Sequence, residues 1–243
     1  MEKILIIIPA YNEEENILNT YNSIVDYNKK YNTKYDVVVI NDGSKDKTEE
    51  ILEKNKINHI RLIQNLGIGG AVQTGYKYAK ENGYDIAIQF DGDGQHDVNY
   101  VKSIIKPIID HKANMVIGSR FITNDASEFK STKMRRIGIN LISFVIKLKT
   151  GKKIYDTTSG FRAVDKKIID EFVFYYPLEY PEPISTVNVL TKKFEVDEVP
   201  VQMKPRVAGV SSISKFKSVY YMINVILSIL LVRRNRKWKW VIY

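Results

Sequence analysis

The chain of 243 residues contains no cysteine. A disulfide framework and a thiolate metal site are therefore excluded, and a reducing compartment fits. Long hydrophobic runs are missing as well. The apolar stretch behind Met1-Glu2-Lys3 covers residues 4–8 before Pro9 ends it, which is too short for a signal peptide and reads as a first strand. The longest apolar stretch, residues 219–232, is broken by Asn224 and Ser228. As a helix it would span about 21 Å at 1.5 Å per residue, short of a hydrocarbon core of ~30 Å. There is no internal repeat, no low-complexity tract and no nucleic-acid recognition module.

What is present points to a globular chain. Hydrophobic residues make up 44%, enough for a core, and the length suits one large α/β domain or a domain with an appendage. The formal charge of +9 points to an anionic partner: a nucleotide, a phospholipid surface or a nucleic acid.

The first half alternates strand and helix patterns. Strands are expected over 3–8, 35–40, 59–64, 84–90 and 115–118, with helices over 14–30, 47–55, 69–82 and 99–111. Repeated βα units of this length imply a mainly parallel sheet with helices on both faces. Ligands then bind beyond the carboxyl ends of the strands. Three polar segments fall at that edge: Tyr11-Asn12-Glu13, Asn41-Asp42-Gly43-Ser44 and Asp91-Gly92-Asp93-Gly94-Gln95. The second half is less regular. Residues 131–149 read as an amphipathic helix, 157–164 as a loop or strand, and 176–183 as a constrained loop. Residues 195–201 read as a strand and 214–232 as a helix.

The acidic segment carries the strongest chemical signal. Asp91 and Asp93, two residues apart at a strand end, can turn toward one point, and their repulsion invites a cation. Oxygen donors at a partly open site suit Mg²⁺ or Mn²⁺, with phosphate filling the other positions. Gln95 could add an oxygen, and His96 suits a supporting place. An EF-hand is excluded, because His96 stands where that loop needs glycine and Lys102 where it needs glutamate. Asp42 could accept a hydrogen bond from a base or ribose, or shape a turn and cap. Gly67-Ile68-Gly69-Gly70-Ala71 lacks the third glycine of a dinucleotide loop, with Val72 in its place. Gly69 is instead expected at a close backbone approach near a nucleotide. Arg120, the pair Arg135-Arg136, Arg162 and Arg206 stand beside small residues downstream and suit phosphate oxygens. The tail, with Arg233, Arg234, Arg236, Lys237, Trp238, Lys239 and Trp240, suits an anionic membrane surface.

Six motifs follow one another in a familiar order. They are Ile8-Pro9-Ala10-Tyr11-Asn12-Glu13-Glu14, the loop from Asn41 to Ser44, Asn65-Leu66-Gly67-Ile68-Gly69-Gly70-Ala71, the loop from Asp91 to His96, Gly118-Ser119-Arg120, and Thr158-Ser159-Gly160-Phe161-Arg162-Ala163. Over residues 3–212 the chain resembles glycosyltransferase family 2, in its dolichyl-phosphate mannose synthase-like, polyprenyl-phosphate glycosyltransferase branch. The resemblance implies a GT-A fold, a nucleotide-sugar donor and inverting transfer. It implies that Pro9, Tyr11, Glu13 and Asp42 hold the nucleoside, and that Asp91, Asp93 and Gln95 hold the metal. Arg120, Arg136 and Ser159, with Arg162 nearby, would face the acceptor phosphate, and Arg206 the donor diphosphate. Asn41 replaces the usual first aspartate, and Ser212 stands where the mannose synthases carry a lysine. Tyr180-Pro181-Glu182-Pro183 resembles a bacterial subgroup of cell-surface polysaccharide pathways.

The expectation is thus a catalytic domain over 1–212 and an attachment segment over 213–243. The enzyme would pass a sugar, UDP-linked by analogy with bacterial members, to a polyprenyl phosphate at the cytoplasmic face of the membrane. It would bind there peripherally or on a membrane-protein partner, and a homo-oligomer is left open. A sugar hydroxyl as acceptor would need a base instead, with Asp156 and Glu182 as candidates. A non-catalytic scaffold is the third reading, and the intact Asp91/Asp93 pair argues against it.

Overall fold

A computed structural model describes residues 2–122, 133–204 and 215–232, with side chains for all of these except 133–135 and 215–220. Seven strands form one sheet: β1 (Ile4–Ala10), β2 (Tyr35–Asn41), β3 (His59–Arg61), β4 (Ile86–Gln89), β5 (Met115–Ser119), β6 (Arg162–Asp165) and β7 (Val196–Pro200). Their order is β3-β2-β1-β4-β6-β5-β7. Every pairing is parallel except those of β6, which runs antiparallel to both β4 and β5. The expected parallel sheet is present, with one reversed strand inserted between its two halves.

The sheet forms where β-branched and apolar residues run without a polar partner face. All seven residues of β1 are buried, as a strand covered on both sides requires. Leu5 and Ile7 join one apolar cluster and Ile6 and Ile8 the other, following the two-residue period of a strand. The first cluster takes in α3 (Gly67–Glu81), α5 (Lys133–Thr150), α6 (Lys166–Phe174), α7 (Pro181–Thr191) and α8 (Lys215–Leu231). The second takes in α1 (Ile17–Tyr31), α2 (Thr48–Lys54) and α4 (Val101–Ile109).

Two parts of the second half differ from expectation. The stretch 176–183 is not wholly loop: Tyr180 takes a left-handed φ of 51° and Pro181 then opens α7. Proline suits the first helical turn because its missing N–H would have no partner there. Residues 166–174, unassigned from the pattern, form α6, started by the Asp165 carboxylate accepting from Ile168 N–H at 2.9 Å.

Candidate active site

The loops at the carboxyl edge of β1 and β2 hold each other. Asn12 N–H donates to Ser44 Oγ at 3.0 Å, and Lys45 N–H returns to Asn12 Oδ1 at 2.8 Å. Glu13 N–H reaches Thr48 Oγ1 at 2.9 Å and Glu14 N–H reaches Asp46 Oδ2 at 3.0 Å. Glu13 itself accepts from Asn16 Nδ2 at 3.0 Å. This lattice leaves the Tyr11 ring 42% exposed above the buried Pro9. Asp42 is only 3% exposed, and its Oδ1 accepts from Leu66 N–H at 2.7 Å. Burial pushes its carboxyl above the usual range, against the pull of the Leu66 and Gly67 amides. One oxygen of Asp42 therefore fixes the start of α3. Gly69 meets its expectation of a close approach, since a Cβ there would lie 2.2 Å from Pro177 O.

The acidic loop follows β4. Asp91 N–H donates to His96 Nδ1 at 2.9 Å, and His96 Nε2 lies 3.4 Å from Asp91 Oδ2. The His96 ring stacks on Phe161 at 4.6 Å and meets Phe90 edge-on at 5.3 Å. Burial holds its pKa below the usual value, although Asp91 and Asp93 pull the other way. The ring is thus neutral, with Nδ1 accepting and Nε2–H aimed at the Asp91 carboxylate. Space for that carboxylate comes from Gly160, where a Cβ would sit 2.9 Å and 3.0 Å from the two Asp91 oxygens. Gln89 adds a long contact, Nε2 to Asp91 Oδ1 at 3.5 Å. Asp93 is 6% exposed and accepts from Gln95 N–H at 3.1 Å. Gln95 also donates its side-chain amide to Lys204 O at 3.3 Å.

This donor set fits a hard divalent ion. Among the described residues no three metal-ligating side chains come together. Two carboxylates are what an ion needs when phosphate and water complete its shell. Among the described residues the Asp91 carboxylate meets His96 Nε2 at 3.4 Å and Gln89 Nε2 at 3.5 Å, and its oxygens lie in a cradle that any side chain at 160 would fill.

The basic side follows β5. Arg120 is 8% exposed and grips Asp156 through Nε at 2.7 Å and Nη2 at 2.8 Å, with Thr158 Oγ1 at 3.1 Å. Arg120 and Arg136 lie against the same Phe121 ring, at 5.3 Å and 4.3 Å from its centre. The structure so unites two of the expected phosphate-binding arginines. It removes Asp156 from the candidate bases, because the carboxylate is fully buried and bidentately paired with Arg120. Arg162 is also corrected. It is 0% exposed and donates to Ser159 O at 2.6 Å, Glu182 O at 3.2 Å and Ser185 Oγ at 3.0 Å, so it braces the chain beneath the site. Ser159 is 1% exposed, and its Oγ has no hydrogen-bond partner among the described residues. Glu182 stays half-buried in the first turn of α7. Burial raises its carboxyl, with Arg162 opposing and Asp91 adding to the rise. Arg206 and the basic tail lie outside the described residues.

The sequence profile described as Glycosyl transferase family 2 matches residues 5–173. The chain belongs to glycosyltransferase family 2. A UDP-N-acetylglucosamine–dolichyl-phosphate N-acetylglucosaminyltransferase of Methanococcus voltae is 34% identical over 220 residues, covering 82% of this chain and 84% of the relative. A polyprenol monophosphomannose synthase of Mycolicibacterium smegmatis is 24% identical over 228 residues, covering 88% and 82%. Among solved structures, glucosyl-3-phosphoglycerate synthase of Mycobacterium tuberculosis, in complex with Mn²⁺, UDP-glucose and phosphoglyceric acid, superposes with a TM-score of 0.69. It is 16% identical, over 94% of this chain and 79% of that one. This likeness establishes the GT-A fold for the family 2 chain. Reasoning from sequence named Asp91, Asp93, Arg120 and Arg136 as candidates, and it named neither Gln89, whose Nε2 lies 3.5 Å from Asp91 Oδ1, nor Glu198. Glu198 accepts from the amides of Tyr155 at 2.7 Å and Asp156 at 2.9 Å, and so positions the Arg120 partner. Its place on β7 gives no local sign of that contact.

Proposed function

We propose that this glycosyltransferase moves a hexose or N-acetylhexosamine from a UDP-linked donor to a polyprenyl phosphate, with inversion, for cell-surface polysaccharide assembly. The carrying observation is the pairing of opposite chemistries on one sheet edge. Asp91 and Asp93 lie in the loop after β4, and Arg120 and Arg136 gather around Phe121 just after β5. Names of relatives support the acceptor class: dolichyl phosphate in the Methanococcus enzyme, polyprenol in the Mycolicibacterium one and undecaprenyl phosphate in a mannosyltransferase of Micrococcus luteus.

Tyr11, Glu13 and Asp42, with Pro9 and Gly69 behind them, hold the nucleoside. Mg²⁺ or Mn²⁺ at Asp91 and Asp93, beside Gln95, would offset the charge growing on the departing nucleoside diphosphate. Arg206 is assigned to that diphosphate as well. Arg120 and Arg136 orient the acceptor phosphate, with Ser159 close to them in sequence and fold. A phosphate oxygen attacks the anomeric carbon from the face opposite the leaving group. The new C–O bond forms as the bond to the nucleoside diphosphate breaks. That oxygen is ionised at neutral pH, so no base is required, in keeping with Asp156 being committed to Arg120. Residues 1–212 form the catalytic unit, and 213–243 attach it to the cytoplasmic face of the membrane.

One observation favours a second reading. Glu182 stands half-buried in the first turn of α7 with a carboxyl that burial raises, and it could serve as base toward a saccharide hydroxyl. Incubation of purified protein with Mn²⁺, a panel of nucleotide sugars and undecaprenyl phosphate separates the two. Sugar on the lipid supports the first reading, and sugar only on an added saccharide overturns it.

A further inference from the structure

A helix on the surface of a soluble domain turns apolar residues inward and polar ones outward. α5 and α8 are partly inverted. On α5, Ser143 is 4% exposed, whereas Ile137, Leu141, Phe144 and Leu148 stand out at 61, 44, 57 and 71%. On α8, Asn224 and Ser228 are half-buried, whereas Ile223 and Leu227 are 53 and 52% exposed. Both helices also bury an apolar inner face, with Ile142 and Ile146 on one and Val225 and Ile229 on the other. Each is therefore apolar on two sides. The spacing of three and four residues draws the outer side chains into a stripe along each helix.

The two stripes lie on neighbouring helices. A Cβ on Gly138 would lie 2.6 Å from Met222 Sδ, and Lys149 Nζ donates to Leu230 O at 2.7 Å. α5 and α8 therefore run side by side in the same direction. No helix among the described residues is long and apolar enough to cross a membrane.

Charge selects the occupant of this face. Residues 129–155 hold eight lysines and arginines and residues 199–243 hold nine, with no aspartate or glutamate in either. Of 37 basic residues that leaves 20 elsewhere, against all 28 acidic ones. The rest of the chain is thus net negative by eight, and the whole positive excess belongs to the segments bearing the apolar stripes. A second copy would bring like charge to the contact. An anionic lipid surface offers both the opposite charge and an apolar layer, the combination that interfacial helices use.

We infer that α5, together with α8, seats the enzyme on an anionic bilayer surface. The α5 stripe begins at Ile137, one residue after Arg136, which lies with Arg120 against Phe121. Seated in this way, the enzyme presents both arginines to a phosphate still anchored in the headgroup layer. This last step rests on the acceptor proposed above and the part of α8 on the attachment proposed for 213–243, whereas the seating of α5 rests on neither.

The absence of cysteine allows a direct test. Leu148→Cys carries a single thiol for a polarity-sensitive fluorophore, and Lys102→Cys, exposed on α4 across the sheet, is the control. With phosphatidylcholine vesicles containing phosphatidylglycerol, the label at 148 shifts to the blue and the label at 102 does not. The double variant Leu141→Ser/Phe144→Ser binds these vesicles at least about tenfold more weakly, with its unfolding midpoint and UDP binding unchanged. A label at 148 that stays unshifted while the vesicles are bound would overturn the seating of α5. So would a lipid-free dimer that the double variant abolishes, because the face would then belong to a second copy. Vesicle binding is scored without turnover, so a wrong acceptor shows only in the product assay.

Discussion

On the β1–β2–β4 side of the sheet edge, carboxylates are held by backbone N–H groups. Asp42 takes Leu66, Asp46 takes Glu14 and Thr48, and Asp93 takes Gln95. On the β5–β6 side, guanidinium groups are held instead, Arg120 by the Asp156 carboxylate and Arg162 by the carbonyls of Ser159 and Glu182. Backbone amides anchor an anion without cancelling a full charge, so the first side stays acidic and ready for a cation. Carbonyls and one buried carboxylate orient cations, and the second side stays suited to a phosphate. The two ends of a phosphate-linked transfer thus meet two differently built frames.

The sharpest break in this comparison is on the acidic side. Asp93→Ala is expected to lower kcat/KM by roughly 10²–10³-fold, the scale of losing a group that stabilises transition-state charge. Circular dichroism should still show a native fold, and unaltered turnover in chelator would remove the metal from the proposal. On the basic side the same kind of change strikes stability. Asp156→Ala removes the carboxylate that pairs the buried Arg120 guanidinium, at a cost of roughly 3–5 kcal/mol in denaturant unfolding.

Gly160 joins the two frames. Gly160→Ala would press a methyl against both Asp91 oxygens and Gln89 Nε2. Mn²⁺-dependent UDP binding is expected to weaken roughly 10–100-fold, the range for disturbing the support of a metal ligand. Calorimetry should show UDP alone binding as before.

The smallest effect is a pH dependence at Asp46. Burial works against its charge, but the Thr48 hydroxyl and the amides of Thr48 and Glu14 outweigh it, and its pKa falls below 3.8. Below 3.8 the unfolded chain therefore binds more protons than the folded one. The stabilisation is complete above that pH and is lost as pH falls through the depressed value. Asp46→Asn should cost about 1 kcal/mol at neutral pH and progressively less in acid. Equal loss at all pH values would mean that the carboxylate charge is not what ties the 11–14 loop to α2.

Much of the first half was legible because its elements are local. The apolar runs that became β1, β2 and β4 announce buried strands, and the polar clusters after them fall at one edge once the sheet is parallel. The acidic loop after β4 was readable for the same reason. Residues 176–183 misled because two prolines look like loop chemistry, yet Pro181 fills a helix N-terminus. The sequence offers Asp156 as a reserve base for a hydroxyl acceptor and, through the family resemblance, Arg162 near the acceptor phosphate. Both are instead absorbed by partners far along the chain, with Arg120 lying 36 residues from Asp156 and Ser185 lying 23 from Arg162.

By itself, the order of residues determined the strand-and-helix alternation, the paired acids and the concentration of positive charge in two segments. These follow from periodicity, from spacing and from counting, all of which act over a few neighbours. Tertiary structure alone decided which charges stay available to a ligand and which are cancelled, and which side of α5 faces outward. Burial and pairing depend on what distant strands and helices bring alongside, and a helix with apolar residues on two faces does not reveal which one the core will take.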